Sequence, residues 1–373
     1  MIIGVPKETK CCESRVSLIP SSVLTLTEKE NKVYIEKGAG EKIGFTDDMY
    51  EKAGAVILDS EQEIFAKSEV IVKVKELQKE ELAFLKNGQT VISYAHLAIE
   101  PDLVETLLKK KITTIAYETI QYEDGSLPLL KPMSEIAGKV SVQIAANLLQ
   151  NTNGGTGKLI GGVPGVYPCK VLIIGAGVVG KNAARIAIGM GADVTVLDIS
   201  PEKLTKLSRN FNGNIKTAIC NEYNLEKFTH KADIVIGAIL KQGHITPIII
   251  TEEMVKKMKK GSVIMDISVD QGGMVETITE PTDFNNPTFE KYGVIHYAVP
   301  NIPSCVARTA TISLNNYIMP YLIRLADKGF IAAVKSLPEL YKGINTFQGK
   351  LTNPDVAKSL GYPYSELSML IGF

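Results

Sequence analysis

The stretch 169–200 constrains the fold of this chain more than any other. It reads CKVLIIGAGVVGKNAARIAIGMGADVTVLDIS and predicts a strand, a glycine turn, a helix and a second strand that ends at Asp198. Its glycines at 175, 177 and 180 have the G-x-G-x-x-G spacing of dinucleotide-binding βαβ units. That spacing alone is a weak signal, but here the strand, the helix and the acidic residue accompany it. The alternative, glycines that serve only turns, leaves Asp198 to coincidence.

Each residue of this motif has its own role in binding a nucleotide. Gly175 permits the tight turn, Gly177 lets the backbone approach a pyrophosphate, and Gly180 lets the helix pack closely on the strand. The helix start offers unpaired N–H groups and the positive end of the helix dipole. Asp198 is expected to hydrogen-bond the adenosine ribose and to repel a 2′-phosphate, which favours NAD over NADP, although Lys203 nearby weakens that preference. A nicotinamide cofactor predicts hydride transfer.

Short apolar runs alternate with helical patterns along most of the chain, which predicts an α/β fold with mostly parallel sheets. We expect two doubly wound Rossmann-like domains with an active-site cleft between them. The substrate domain is predicted at 1–130 plus 306–373, and the NAD-binding domain, inserted in the chain, at 131–305. Besides the two strands of the glycine-motif stretch, the predicted strands are 1–5, 32–38, 55–59, 69–75, 90–96, 112–118, 232–239, 262–268 and 293–299.

Composition narrows the class of partner. The chain has 373 residues, with 41 basic and 41 acidic side chains and a formal net charge of zero. No charge excess therefore points to nucleic acid or to an anionic membrane. The first residues do not have the pattern of a signal peptide, and no apolar run reaches the roughly 18 residues that a membrane span needs. Five cysteines without zinc-site or CxxC spacing indicate free thiols in a reducing cytosol, so we expect a cytoplasmic protein that acts on a small molecule.

Ionisable residues stand where predicted strands end, and doubly wound sheets bind ligands beyond the carboxyl ends of their strands. Lys75 ends one predicted strand and His96 ends the next, while Asp270 follows a strand of the second domain. Arg15 lies in the connection between the first strand and a helix that Pro20 is expected to begin. A cleft between the domains would bring all four candidates to the nicotinamide.

Each candidate also has a purely structural interpretation. Lys75 and Lys73 could both be solvated on one strand face, and His96 could be a hydrogen-bonded core histidine. Asp270, which precedes two glycines, is also typical of a turn, and Arg15 of a surface ion pair. Sequence position alone does not decide between these interpretations and a shared site.

Ten short stretches occur in one order along nearly the whole chain: GVPKET, SRV, VKVKE, YAHLA, AYET, LPLLKPMSEIAG, GGVPGV, IGAGVVG, VTVLDI and DQGG. Together they closely resemble the alanine dehydrogenase family. The resemblance implies two α/β domains with the nucleotide domain inserted and the active site in the cleft. It also implies a homohexamer and the reversible, NAD-dependent oxidative deamination of L-alanine to pyruvate and ammonium.

The resemblance assigns a role to each candidate. Arg15 and Lys75 match the family's substrate-binding residues, and His96 and Asp270 match its proton-transfer residues. Ser134, although it is also typical of a helix N-cap, matches a cofactor contact. The complete set of cofactor contacts implied in this way is Ser134, Val178, Asp198, Lys203, Cys220, Ile239, Leu240, Ile267, Asp270 and the segment 299–302, with Val299, Asn301 and Ile302.

Two departures from the family's pattern stand out. The residues before Arg15 are often asparagine-rich in relatives, whereas here they include the pair Cys11 and Cys12. Adjacent cysteines bridge only through a strained ring, so we interpret this pair as neighbours of Arg15 and not as a redox site. Some members bind a metal through a Glu and a His on the long helix after the nucleotide domain. Arg324 and Lys328 occupy the matching positions here, so no metal site is expected.

Other classes of protein remain to be distinguished. The NAD(H)-binding subunit of proton-translocating transhydrogenase shares the fold and the early RV signature, but it lacks the pair formed by His96 and Asp270. Saccharopine-type dehydrogenases are more distant. A non-catalytic NAD-binding protein is a further alternative, and the presence of all four catalytic and substrate candidates argues against it.

Overall fold

The computed structural model of this chain describes residues 1–239 and 246–372. The chain forms two compact units. The first comprises Met1–Met133 together with the chain from Ser304 onward, and the second comprises Ser134–Pro303. Leu240, one of the expected cofactor contacts, lies outside the described residues.

The first unit contains one sheet whose central strands are buried along most of their length, the pattern of a parallel sheet covered on both faces. Its strands are β1 (Ile2–Val5), β2 (Lys32–Glu36), β3 (Val56–Leu58), β4 (Val70–Val72), β5 (Thr90–Ser93), β6 (Thr113–Ala116), and, late in the chain, β14 (Ile344–Phe347) and β15 (Lys350–Leu351). Its helices are α1 (Pro20–Thr27), α2 (Asp47–Lys52), α3 (Glu61–Lys67), α4 (Pro101–Lys109), α10 (Ala307–Lys328), α11 (Phe330–Ser336), α12 (Pro338–Gly343), α13 (Pro354–Leu360) and α14 (Leu367–Ile371).

Among the described residues, these eight strands lie in the order β15-β14-β6-β5-β4-β1-β2-β3. The strands β1 to β6 are all parallel, and their order is that of a doubly wound sheet. The C-terminal strands β14 and β15 extend this sheet antiparallel, next to β6. The last part of the chain thus completes a sheet that its first part begins.

The second unit repeats the same architecture. Its strands are β7 (Lys170–Ile174), β8 (Asp193–Asp198), β9 (Lys216–Ile219), β10 (Ile234–Gly237), β11 (Val263–Asp266), β12 (Thr288–Lys291) and β13 (Val294–Tyr297). Helix α5 (Leu130–Leu148) begins in the first unit and continues into the second. The other helices of the second unit are α6 (Val178–Gly189), α7 (Pro201–Asn210), α8 (Glu222–Lys231) and α9 (Glu252–Lys256). In the described part of the chain its seven strands lie in the order β12-β13-β11-β10-β7-β8-β9, all parallel except β12.

The predicted α/β class with two doubly wound Rossmann-like units is confirmed. The strands predicted at 69–75 and 90–96 are too long, however, because β4 ends at Val72 and β5 at Ser93. Four short strands, β9, β12, β14 and β15, escaped prediction. They have only two to four residues each and lie at or next to sheet edges. β9 is almost wholly exposed, whereas β14 is buried but contains the polar residues Asn345 and Thr346.

Helix α10 positions the connection that follows β1. The side chain of Thr311 accepts a hydrogen bond from the N–H of Val16 at 3.2 Å. Asn315, which is buried, accepts from the N–H of Ile19 at 2.9 Å and donates to the carbonyl of Ser17 at 2.7 Å. The connection is thus held on both sides of Ser17, and Arg15 lies in the same connection, directly before Val16. Pro20 is the first residue of α1, as predicted.

Candidate active site

The carboxyl ends of neighbouring parallel strands meet at one edge of the first sheet. Lys75 lies three residues beyond β4, and His96 lies three residues beyond the adjacent strand β5. On either side of this pair, Glu8 follows β1 and Glu118 follows β6. Two of the predicted active-site residues therefore come from adjacent strands, with a glutamate from each flanking strand.

Glu8 holds the chain that carries Lys75. Its carboxylate accepts hydrogen bonds from the N–H of Val74 at 2.6 Å and from that of Lys75 at 3.3 Å. The ammonium of Lys75 lies 3.7 Å from a carboxylate oxygen of Glu76. Burial opposes the negative charge of Glu76, but Lys75 and Lys10 outweigh it and lower the pKa of Glu76 to about 2. Lys75 therefore faces an ionised carboxylate.

The interpretation of Lys73 and Lys75 as two solvated lysines is wrong. Lys73 is fully buried, and Lys75 is only 9% exposed. The ammonium of Lys73 pairs with Glu81 and lies 3.6 Å from Glu8. Burial disfavours this charge, but the two carboxylates outweigh burial and raise the pKa of Lys73. Lys73 therefore serves as a buried counter-ion near the end of the strand. Removing its charge would leave the carboxylates of Glu8 and Glu81 without their cationic partner.

His96 has an unusual backbone conformation. Its φ of 48° and ψ of 32° lie in the left-handed region, which non-glycine residues seldom occupy. Its N–H donates to Glu118 at 2.6 Å, and the preceding N–H of Ala95 donates to the same carboxylate at 3.1 Å. The imidazole is half-buried and stacks on Tyr94, with ring centroids 6.4 Å apart. No hydrogen bond to the ring is found within the described residues, so His96 is not the hydrogen-bonded core histidine of the alternative interpretation.

Arg15 is buried, which excludes the surface ion pair. Its Nε and Nη2 donate to the two carboxylate oxygens of Glu13, at 2.8 and 2.5 Å, and its Nη1 lies 3.4 Å from the sulfur of Met133. Burial disfavours the guanidinium charge, but Glu13 outweighs it and raises the pKa of Arg15. Cys11 and Cys12 are the central residues of the turn just before this pair; both are exposed, with sulfurs 3.2 Å apart.

The glycine motif of the second unit forms a tight turn with one open position. Gly175 has a φ of +111°, and a Cβ placed on Gly180 would lie 1.8 Å from the carbonyl oxygen of Gly175. A Cβ on Gly177 would meet no atom within 4 Å. Gly177 is also the N-cap of α6, and no side chain caps the N–H groups at the start of that helix. The turn thus leaves space and donors for an anionic group at Gly177.

Asp198 ends β8, as predicted, and is fixed in place. One carboxylate oxygen accepts from the N–H of Ala176 at 2.7 Å, and the other from the N–H of Ser200 at 2.8 Å. The N–H of Cys220 donates to the main-chain carbonyl of Asp198 at 3.0 Å, so two expected cofactor contacts are neighbours. Lys203 is exposed in the first turn of α7, and its N–H is capped by Ser200. Each carboxylate oxygen keeps acceptor capacity, since it has two lone pairs.

A buried aspartate, Asp266, shapes the loop that carries Asp270. Its carboxylate oxygens accept from the N–H of Ser268 at 2.9 Å and from that of Met274 at 2.8 Å, at the two ends of the loop. Asp270 itself is exposed, and its carboxylate accepts from the N–H of Asn301 at 3.4 Å. Ser268 donates to the carbonyl of Ile239 at 2.8 Å. These hydrogen bonds connect the loop to Ile239 and to Asn301. Three expected cofactor contacts, Ile239, Asp270 and Asn301, are therefore linked through this loop.

The other predicted residues are less informative. Ser134 lies inside α5 and not at its start, so its interpretation as an N-cap is wrong. Val178 is exposed at the start of α6, Ile267 is half-buried, and Val299 and Ile302 are buried. In residues 1–239 and 246–372, no group of three or more His, Cys, Asp or Glu is arranged to hold a metal ion. No helix in those ranges is long and apolar enough to cross a membrane.

Sequence reasoning missed four carboxylates that organise these sites: Glu8, Glu13, Glu118 and Asp266. A signal was present for Glu8 and Glu118, because both lie in stretches of the family resemblance, GVPKET and AYET. Glu13 stands only two residues before Arg15. Their main-chain partners, however, and the burial of Glu8, Glu13 and Asp266, are properties of the folded chain.

Two family models match the chain and together cover most of it. The model described as "Alanine dehydrogenase/PNT, N-terminal domain" matches residues 4–137, and the model described as "Alanine dehydrogenase/PNT, C-terminal domain" matches residues 141–354. The chain belongs to the alanine dehydrogenase/PNT family. The resemblance seen in the ten short stretches is thereby confirmed.

Relatives of the family match over nearly the whole length. The chain is 51% identical to alanine dehydrogenase of Methanococcus maripaludis, over 98% of each protein. It is 47% identical to alanine dehydrogenase of Staphylococcus saprophyticus, over 98% of this chain and 99% of the relative.

Among solved structures, an L-alanine dehydrogenase has a TM-score of 0.93 and 44% identity, with 97% of this chain and 99% of that chain covered. A transhydrogenase from Sinorhizobium meliloti has a TM-score of 0.80 and 25% identity, with 95% and 99% covered.

Family membership and the Rossmann-type second unit imply an oxidoreductase with a nicotinamide nucleotide cofactor. The residues present fit such a cofactor. Gly177 leaves open space at an uncapped helix start, and Asp198 presents a fixed carboxylate at the end of the next strand. These are the two features that a pyrophosphate and a ribose require.

Proposed function

We propose that this protein is an NAD-dependent alanine dehydrogenase that converts L-alanine, water and NAD⁺ reversibly to pyruvate, ammonium and NADH. One observation carries the proposal. Lys75 and His96 follow adjacent parallel strands at one sheet edge, in a chain up to 51% identical to alanine dehydrogenases. Family membership alone also admits transhydrogenases, which is why the side chains at this edge matter.

The substrate domain proposed at 1–130 and 306–373, which lies within the first unit, provides the substrate groups in this proposal. Arg15 binds the substrate carboxylate, because the planar guanidinium fork matches the geometry of a carboxylate. Lys75 contacts the reacting group on the substrate α-carbon. It polarises the carbonyl oxygen that develops there as pyruvate forms. Its charge is retained because Glu76, ionised and 3.7 Å away, stabilises the ammonium.

Proton transfer falls to His96 and Asp270. A nicotinamide bound to the second unit supplies the hydride acceptor for the substrate α-carbon. His96 then takes a proton from the water that attacks the substrate iminium, and it later protonates the departing amine. Its half-buried imidazole, with no hydrogen bond to a described residue, is suited to both steps. Asp270, on its exposed loop beside Asn301, orients the reacting groups and takes part in proton transfer.

The NAD-binding domain proposed at 131–305, which includes the second unit, holds the cofactor in this proposal. Gly175, Gly177 and Gly180 accommodate the pyrophosphate, and Asp198 accepts from the ribose and disfavours a 2′-phosphate. Further cofactor contacts are proposed at Ser134, Val178, Lys203, Cys220, Ile239, Leu240, Ile267, Asp270, Val299, Asn301 and Ile302. A cytoplasmic location and a homohexameric assembly stay predictions, and the mass measured by light scattering tests the assembly.

The test is the absorbance of NADH in the presence of the purified protein. With NAD⁺ and L-alanine we expect turnover. With NADP⁺ in place of NAD⁺ we expect much less turnover, because Asp198 repels the 2′-phosphate. Parallel reactions with glycine and L-serine measure substrate preference. Turnover on another amino acid without turnover on L-alanine would reject the substrate.

The competing function has its own assay. The transhydrogenase similarity predicts hydride exchange between NADH and an oxidised nicotinamide analogue, in the absence of any amino acid. We expect none above background. Exchange without L-alanine oxidation would favour the transhydrogenase function over the proposed one.

A further inference from the structure

The strained backbone of His96 requires a partner that holds it. A left-handed conformation is unfavourable for a non-glycine residue, and such strain persists only where the surroundings over-determine it. The last regular hydrogen bond beyond β5 runs from the N–H of Tyr94 to the carbonyl of Val74, at 3.0 Å. The next two N–H groups, those of Ala95 and His96, donate to a side chain instead of a main-chain carbonyl. The carboxylate of Glu118 receives both.

Glu118 is itself placed by the fold. It lies in the turn that follows β6, the strand next to β5. Thr119 fixes that turn, because its hydroxyl donates to the side-chain oxygen of Asn345 at 2.8 Å and lies 3.2 Å from the carbonyl oxygen of Ala116. Asn345 belongs to β14, so the C-terminal part of the chain anchors the turn that presents Glu118.

We propose that Glu118 is a positioning residue that sets the direction of the His96 imidazole through the main chain. The proposal rests on the proposed function, in which His96 transfers protons. The shortest contact, 2.6 Å, is to the N–H of His96 itself. Bonds from N–H groups to a carboxylate are stronger than bonds to a neutral acceptor, so one such side chain can hold two successive amides. Rotation of this backbone would move the imidazole away from its proton-transfer position.

The experiment compares Glu118→Ala and Glu118→Gln with wild type. Glu118→Ala removes the acceptor, and we expect kcat for L-alanine oxidation to fall about a hundredfold, since misplacement by about 1 Å has that effect. KM for L-alanine should change less than about threefold, because Arg15 and Lys75 remain. Glu118→Gln keeps an amide oxygen as acceptor and should retain kcat within about fivefold of wild type.

A second measurement follows the main chain without relying on activity. Hydrogen exchange by mass spectrometry should show the amides at 95 and 96 exchanging at least about tenfold faster in Glu118→Ala, and near the wild-type rate in Glu118→Gln. Glu69→Ala is the matched control. Glu69 accepts a main-chain N–H, that of Ile2, at 2.9 Å, at the opposite edge of the same sheet. That control should change neither kcat nor exchange at 95 and 96.

Several outcomes would overturn the proposal. They are a kcat of Glu118→Ala within threefold of wild type, unchanged exchange at 95 and 96, or equal losses in Glu118→Ala and Glu69→Ala. If Glu118→Ala does not fold, Glu118→Asp takes its place, because the shorter carboxylate cannot span both amides and must also lower kcat. If wild type fails to oxidise L-alanine, the proposed function fails, and amide exchange still decides whether Glu118 holds this backbone.

Discussion

The two sheets have the same order of parallel strands. They differ in the groups that they present to a ligand at the carboxyl ends of those strands. In the first unit that edge carries ionised side chains, Arg15 and Lys75, which glutamates hold in buried surroundings. In the second unit it carries main-chain N–H groups, the open space at Gly177, and Asp198. Topology therefore decides where a site lies, and the residues at the strand ends decide which chemistry occurs there.

This difference also predicts which property is lost when a residue at the strand ends of either unit is substituted. Buried charges depend on their partners, and the loss of one partner leaves the other uncompensated. A glycine turn depends on space, and an added methyl group either overlaps the backbone or fills the position meant for a ligand. Substitutions in the first unit should therefore act on turnover and substrate binding, and those in the second on cofactor binding or stability.

The largest effect is expected for His96→Ala in the first unit. Without a group to accept and return protons, kcat for alanine oxidation should fall by roughly 10²–10⁴-fold. NADH binding, measured by nucleotide fluorescence, should be unchanged, because the glycine motif is intact. The control is His230→Ala, since His230 is exposed and its ring bonds only the carbonyl of Lys257 among the described residues. A near-normal kcat for His96→Ala would remove this histidine from the mechanism.

Arg15→Lys should come next, through substrate binding. Lysine keeps the charge but loses the planar fork that matches a carboxylate, so KM for L-alanine should rise about 10- to 100-fold. Arg308→Lys is a control for losing a structural guanidinium; Arg308 lies over the ring of Phe45, 4.5 Å from its centroid. That control should lower the melting temperature without raising KM. An unchanged KM in Arg15→Lys would leave Arg15 with a structural role, as the buried partner of Glu13.

A glycine series tests the second unit. Gly177→Ala should fold normally and weaken NADH binding at least about tenfold, because its methyl group enters the open position. Gly180→Ala should instead lower stability by about 1–3 kcal/mol, because its Cβ overlaps the carbonyl of Gly175. Gly189→Ala, in the same helix and with open space around it, is the matched control. Calorimetry measures the stability of the three variants, and nucleotide titration measures their affinity for NADH. Weak NADH binding in Gly189→Ala would contradict the assignment of Gly177 to the cofactor site.

The smallest effect is expected for Cys12→Ser. Cys11 and Cys12 are exposed in the turn before Glu13, and no described residue gives them a metal site. Serine has nearly the same shape, so kcat and KM should stay within about twofold of wild type. A larger change would show that the thiol pair contributes to the arrangement of Arg15.

The comparison of the two edges also explains which parts of the site could be predicted. The glycine turn and the acid at the end of β8 depend on spacing within about thirty residues, which a sequence displays directly. The positions of Lys75 and His96 at strand ends followed from apolar runs, although both strands end earlier than predicted. The roles of Lys73 and Arg15 were harder, because a solvated and a buried charge look alike in a sequence.

By itself, the sequence determined the α/β class, the nucleotide motif and the order of the candidate residues, since these depend on local periodicity and spacing. Only the tertiary structure decided which charges are buried and what holds them. Glu8 and Lys75 are 67 residues apart, and Glu118 and His96 are 22 apart. Such partners meet only when neighbouring parallel strands align their ends, where Glu8 is buried, Glu118 is half-buried and each accepts two main-chain N–H groups.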